Sequence, residues 1–171
     1  IWDISKDKYL KPRIKIEPVE IGGVEINYAT GNNAKFIFDN IIGPGSKIKI
    51  IRSGDVIPKI QEILSSSESN KPKMPDIDYE WNETNVDIIA INMDNDELNK
   101  VVIKKLLYFF STLDVKYMKE GRITKLVNNG YDTLWKILQA SKNDLTQIEG
   151  LGEQAINNIS NSIYEGLTNR K

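Results

Sequence analysis

Apolar and polar residues alternate along the first third of the chain. Ile14 and Ile16, and again Ile48 and Ile50, alternate with charged residues at the period of a half-buried strand. The segments IWDIS, RIKIEPVEI, VEINYA, KFIF, KIKIIR and VIPKIQEIL are short and β-rich, and Gly22-Gly23 and Gly43-Pro44-Gly45 punctuate them with turn chemistry. Five or so short strands up to Leu64 predict a small β-barrel rather than a large sandwich. From Asp96 the period becomes helical: Leu98, Val101, Val102, Leu106, Phe109 and Phe110 form one apolar face, and Ser111 to Asp114 interrupts it. EGRITKLVNNG, YDTLWKILQAS, KNDLTQIEG and LGEQAINNISNSIYEGL then predict an array of short helices.

Between the two patterns, Leu64 to Pro75 combines a serine cluster with two prolines and reads as a linker and domain boundary. The following DIDYEWNETNVDIIAINM predicts a hairpin around a polar Asn82 to Asn85 turn. The expected fold class is therefore multidomain, β then α: a small barrel over 1–66, an acidic linker and hairpin over 67–95, and a helical domain over 96–171. Charge follows the same division, with 10 Lys+Arg against 8 Asp+Glu up to Leu64, 2 against 9 from Ser65 to Asn99, and 11 against 7 beyond. Two mildly basic ends flank an acidic connector, a pattern that solvated surfaces alone would also give.

Composition narrows the chemistry. The chain has no cysteine and no histidine, which excludes disulfides, thiolate and imidazole catalysis, and Cys/His zinc sites. No run is long enough to cross a bilayer and the N-terminus lacks a secretory pattern, so an intracellular (cytoplasmic) protein without membrane partners is expected. GPGSK, Gly43 to Lys47, lacks the spacing of a phosphate loop and is a β-turn. No lysine stands in a Lys-x-Asp-Gly arrangement, so no catalytic residue is assigned. Asp94-Asn95-Asp96-Glu97 lacks the pattern of a calcium loop and caps the helix beginning near Leu98.

One motif points to binding. In Ile148 to Ala155, Gly150 and Gly152 flank Leu151 between a short helix expected over 144–148 and a longer one over 153–164. Two glycines let the turn approach a ligand, and the free N–H groups at Gly152, Glu153 and Gln154 face an anion. The spacing fits a phosphate-gripping helix-hairpin-helix and equally a plain αα-turn. A weaker copy lies in Leu113 to Val127, where Tyr117, Met118 and Lys119 replace the hairpin glycines. Its cations Lys119, Arg122 and Lys125 either touch phosphate or form a solvated helix face.

KPRIKIEPVEIGGVEINYATGNN, Lys11 to Asn33, followed by IGPGSKIKIIRSGDVIPKI, Ile42 to Ile60, resembles the oligonucleotide-binding (OB) domain of NAD-dependent DNA ligases. LTQIEGLGEQAINNISNSI, Leu145 to Ile163, resembles the helix-hairpin-helix domain of the same enzymes. Order and separation agree with that family. The resemblance implies that Val56 and Ile57 enter the DNA minor groove beside a nick while Arg52 contacts the phosphate backbone, a form of indirect readout. It places Lys6 where the family has an arginine, and it matches Thr30 and Asn33 to an Ala-Thr-x-x-Asn stretch. The family's four-cysteine zinc module is replaced by the cysteine-free Lys73 to Met93, as in divergent ligases of large DNA viruses, so no metal is expected.

The resemblance further implies a fragment that clamps nicked double-stranded DNA for a parent ligase using NAD and Mg²⁺. The adenylation domain preceding it in that family would be its partner. The fragment itself would hold no cofactor and would be inactive alone. The alternatives are a non-catalytic OB and helix-hairpin-helix protein of the Holliday-junction-binding type, and a protein-interaction adaptor using the acidic connector.

Overall fold

The computed structural model describes residues 1–52 and 57–169. The chain divides into two compact units, Ile1–Met93 and Asp94–Lys171. The first contains β1 (Trp2–Ile4), β2 (Tyr9–Ile21), β3 (Val24–Thr30), α1 (Ala34–Asp39), β4 (Lys47–Ile51), β5 (Lys59–Ser65), β6 (Tyr79–Trp81) and β7 (Ile88–Ala90). They form a small mixed sheet in the order β4-β5-β3-β2-β7-β6, with β1 also on β2. Every pairing is antiparallel except β3 with β5. That parallel pair, with one helix between β3 and β4, is consistent with an OB-fold.

Local chemistry explains the elements. β2 alternates buried Leu10 and Pro12 with exposed Lys11 and Arg13, so one face packs and the other is wet. It is longer than the short strands expected, and its register with β3 shifts between Lys15 and Val19, around Pro18, which has no N–H to give the ladder. Gly22 and Gly23, at φ 61° and 78°, close the β2–β3 hairpin between the paired Ile21 and Val24. Between β2 and β4 a groove of ≈ 950 Å³ remains, lined by Ile14, Ile16, Ile48 and Ile50 among others.

Two expectations for this unit need correction. KFIF is helical, because the Asn33 side chain accepts from the Phe36 N–H at 2.8 Å and caps α1. Four apolar-rich residues suit strand or helix alike, and the cap decides. Secondly, the division between units falls after Met93, not in the serine- and proline-rich stretch. Ser67 is buried there; its N–H donates to Ile41 O, its Oγ donates to Lys71 O at 2.6 Å, and Lys73 N–H donates to Ile42 O. The expected hairpin forms as β6–β7 and adds to the sheet through β7 on β2. Ile88 and Ala90 pack with Leu10 and Ala34 in one buried cluster, edged by Trp2, Ile77, Tyr79 and Trp81.

The second unit contains α2 (Asn95–Thr112), α3 (Glu120–Asn128), α4 (Leu134–Gln139), α5 (Lys142–Thr146) and α6 (Glu153–Thr168). Asp94 caps α2 in a reciprocal box with Glu97, as its acidic run predicts. Thr133 and Ser141 cap α4 and α5 through their side chains. Phe110, Ile123, Leu126 and Ile156 centre a single apolar cluster drawn from α2, α3 and α6, with Ile137 of α4 and Leu145 of α5 completing it. Burying such side chains contributes roughly 1.5–3 kcal/mol each, more than capping does. Among the described residues, no helix is long and apolar enough to cross a membrane.

Candidate nucleic-acid interface

Arg52 follows β4 directly and is half-buried. Ile57 precedes β5 with 68 % of its surface exposed, the largest exposure of any isoleucine in the described chain. An aliphatic side chain held out to this degree gains nothing from the core, and Pro58 fixes its exit by accepting the Thr30 N–H at 3.1 Å. Val56 and the preceding Ser53 to Asp55 lie outside the described residues. Lys6 sits in the β1–β2 turn and pairs with Asp7 at 2.9 Å. Thr30 Oγ1 accepts from Asn32 N–H and Asn33 caps α1, so this pair shapes the β3–α1 corner.

Two cations were not singled out by sequence reasoning. Lys47 and Lys49 alternate with Ile48 and Ile50 on β4 and are exposed on the strand's outer face. The K-I-K-I alternation carried the signal, since residues two apart share a face. Exposed Lys59, beside Ile51 in the ladder, begins β5.

In the helical unit, the two turns noted in the sequence share one backbone plan. Val115, Met118 and Ile123 are 8, 3 and 0 % exposed, and Ile148, Leu151 and Ile156 are 4, 3 and 1 %. The intervening positions match as well. Tyr117 and Gly150 both have positive φ, 67° and 84°, and Lys119 and Gly152 both lead into a helix with extended backbone. Neither α3 nor α6 has a side-chain cap, whereas α1, α2, α4 and α5 each have one. Their first N–H groups therefore lack an intramolecular side-chain acceptor and sit at the positive end of the helix dipole. The short helix before Gly150 begins earlier than expected, at Lys142, because Ser141 and Asp144 form a capping box.

The three cations of the first turn have different fates. Lys119 is the uncapped N-cap residue of α3. Arg122 braces its own turn, donating through Nη1 to Tyr117 O at 3.3 Å with its guanidinium 5.8 Å from the Tyr117 ring centre. Lys125, one turn further along α3, reaches away from that turn: its Nζ lies where a Cβ on Gly150 would be. Glu153 and Gln154 are exposed in the first turn of α6, and Leu151 between the glycines faces the core.

With that geometry in view, the comparisons with known proteins are specific. The family model of the NAD-dependent DNA ligase OB-fold domain matches residues 2–72. Over 99 % of its length the chain is 39 % identical to a DNA ligase of Acanthamoeba polyphaga mimivirus, of which it covers 26 %. It is 32 % identical over 97 % of its length to a putative DNA ligase of Invertebrate iridescent virus 6, covering 25 % of that protein. A DNA ligase of the bacterium Persephonella marina is 25 % identical over 96 % of the chain, which covers 24 % of it. The chain thus spans about a quarter of the length of the curated relatives it matches.

Proposed function

Residues 2–72 belong to the OB-fold domain family of NAD-dependent DNA ligases, and from that premise we propose that the chain is the DNA-holding part of such an enzyme. Its role is to clamp nicked duplex while a nucleotidyl transferase domain of the same enzyme seals the 3'-hydroxyl/5'-phosphate break, in replication or repair. The observation that carries the reading is Ile57: an aliphatic side chain with two thirds of its surface exposed, on the segment after Arg52 that resembles the family's groove-inserting loop. Val56 and Ile57 widen the minor groove, while Arg52 and Lys6 contact backbone phosphate without reading sequence.

The helical unit serves as a helix-hairpin-helix module. Its second turn, Gly150 to Gln154, brings backbone N–H groups against a phosphate. The uncapped start of α6 and the positive φ of Gly150 support this. Lys119 and Arg122 belong to the degenerate first turn. Arg122 is engaged with Tyr117, which favours a bracing role for it over direct phosphate contact.

NAD and Mg²⁺ enter this reading only through the parent enzyme. The chain has no Lys-x-Asp-Gly and, among the described residues, no cluster of three potential metal ligands. The residues present do not make a seat for either group, and the chain alone should not form an enzyme–adenylate. The experiment is binding to nicked, intact and four-way-junction DNA across a salt series, with Arg52→Ala and Ile57→Ala alongside. Duplex binding that weakens in both variants is expected. Preference for the junction, or indifference to both substitutions, would replace this reading with the junction-binding alternative or remove it.

A further inference from the structure

Gly150 is needed for its positive φ, but the structure gives its missing side chain a second use. The space a Cβ would take is occupied by the Nζ of Lys125, with Cε and Cδ 3.4 and 3.9 Å from that point. Lys125 belongs to α3, in the other copy of the turn, and it is exposed. Among the described residues its ammonium has no carboxylate within ion-pair distance, whereas Lys35, Lys73 and Lys136 each pair with an aspartate three or four residues away. An alkyl stem reaching out from α3 therefore brings an uncompensated positive charge to the backbone at Gly150.

We propose that Lys125 is a phosphate-binding residue of the second turn, lent to it by the first. Resting on the reading that Gly150 to Gln154 engages a DNA phosphate, the inference completes that site. Backbone N–H groups of α6 hold the anion from one side and the Lys125 ammonium neutralises it from the other. Three rotatable donors on a point charge suit an oxygen whose exact direction varies along the duplex. The absence of glycines from the first turn is then compatible with one shared anion site built from both turns: Tyr117 carries an exposed side chain where the second turn has Gly150, and the cation of that helix crosses to the turn that stays open.

The test is a double-mutant cycle with the chain and a nicked duplex, read as Kd against salt. Lys125→Gln removes the charge while keeping a polar tip and most of the stem. Gly152→Asp places a carboxylate at the mouth of the turn, where a Cβ meets nothing within 4 Å. Lys125→Gln should lower the log–log salt slope by about one, with an unchanged melting temperature. In the Gly152→Asp background the same substitution should have little further effect, because the shared phosphate is already excluded. If Gly152→Asp weakens binding but Lys125→Gln leaves the slope unchanged, or if the two effects simply add, Lys125 serves no common phosphate and the inference falls while the turn reading stands. If Gly152→Asp is itself silent, the turn reading fails and takes the inference with it.

Discussion

Gly152→Asp separates phosphate binding from folding more cleanly than removal of any cation would. Gly152 has φ −75° and ψ 165°, an extended conformation open to any residue, and an added Cβ meets no neighbour. Aspartate is among the best N-cap residues and exceeds glycine by only a few tenths of a kcal/mol, so the fold should keep or slightly raise its melting temperature. The carboxylate would satisfy the same N–H groups that the proposed function assigns to DNA. A second negative charge about 4 Å from a phosphate costs roughly 1 kcal/mol in water and about 4 kcal/mol at the effective dielectric of a protein surface. That range corresponds to a loss of affinity from about fivefold to several hundredfold, since 1.4 kcal/mol is about tenfold. Loss of one phosphate contact should also lower the salt slope by about 0.9. Fluorescence anisotropy on nicked duplex from low to moderate salt reads both quantities, and a thermal melt controls for folding. Gly152→Asn, a neutral cap of the same shape, should lose less affinity than the aspartate. Unchanged affinity and slope in a Gly152→Asp protein that melts normally would refute phosphate binding at this turn.

Asn33→Ala removes the only side-chain cap of α1 and should destabilise the first unit by about 1 kcal/mol, read by denaturant unfolding; no change would show that the β3–α1 corner does not depend on it. Phe110→Ala empties the centre of the helical cluster and should cost about 3–5 kcal/mol, enough to melt that unit well before the wild type in a thermal scan. The Asp132 carboxyl is held below its usual range by the Lys136 side chain, which donates to it at 2.7 Å. Because its folded value is lowered, its contribution is present above the unfolded value and disappears as pH falls through the folded one. Asp132→Asn should therefore lose about 0.3–0.5 kcal/mol at neutral pH, the size of an exposed i,i+4 pair, and nothing at a pH where both states are protonated.

The sequence made legible whatever rested on periodicity over many residues or on a turn with one chemical solution. Gly22-Gly23 forms the β2–β3 hairpin and Asp94 to Glu97 caps α2, because each pattern has a local cause that tertiary contacts reinforce. KFIF suits a strand as well as a helix because three apolar residues after one lysine carry no period, and the deciding signal, Asn33 as N-cap, lies outside the segment. The serine- and proline-rich stretch has the composition of a linker, yet the Ser67 and Lys73 N–H groups tie it to the α1–β4 connection, and the Ser67 hydroxyl closes it locally on Lys71 O. Composition reports what water would tolerate; whether a neighbouring backbone offers the stretch a partner is a long-range fact. The sequence marks Lys125 as a candidate cation of the first turn, but the same limit hid its destination, since its distance from Gly150 along the chain gives no hint that its ammonium would rest there.

The paired turns show how the demands of packing and of binding come apart. Three apolar positions in each turn are buried alike, and both turns keep a left-handed residue between the first two of them. At Gly150 that conformation is free, whereas at Tyr117 it costs roughly 1–2 kcal/mol. The backbone path persists at Tyr117 despite the cost because Val115 and Met118 must both reach the core from it. Packing therefore explains why the turn survives, and it cannot explain why only one copy kept its glycines. What differs is the room outside. At Tyr117 an exposed side chain projects there and its ring meets Arg122, a cation already engaged by its own turn. At Gly150 the space is open, and the ammonium that enters it comes from the other copy with no partner of its own among the described residues. A cation brought without a counter-ion to a turn whose helix is left uncapped makes chemical sense if the counter-ion arrives with the DNA.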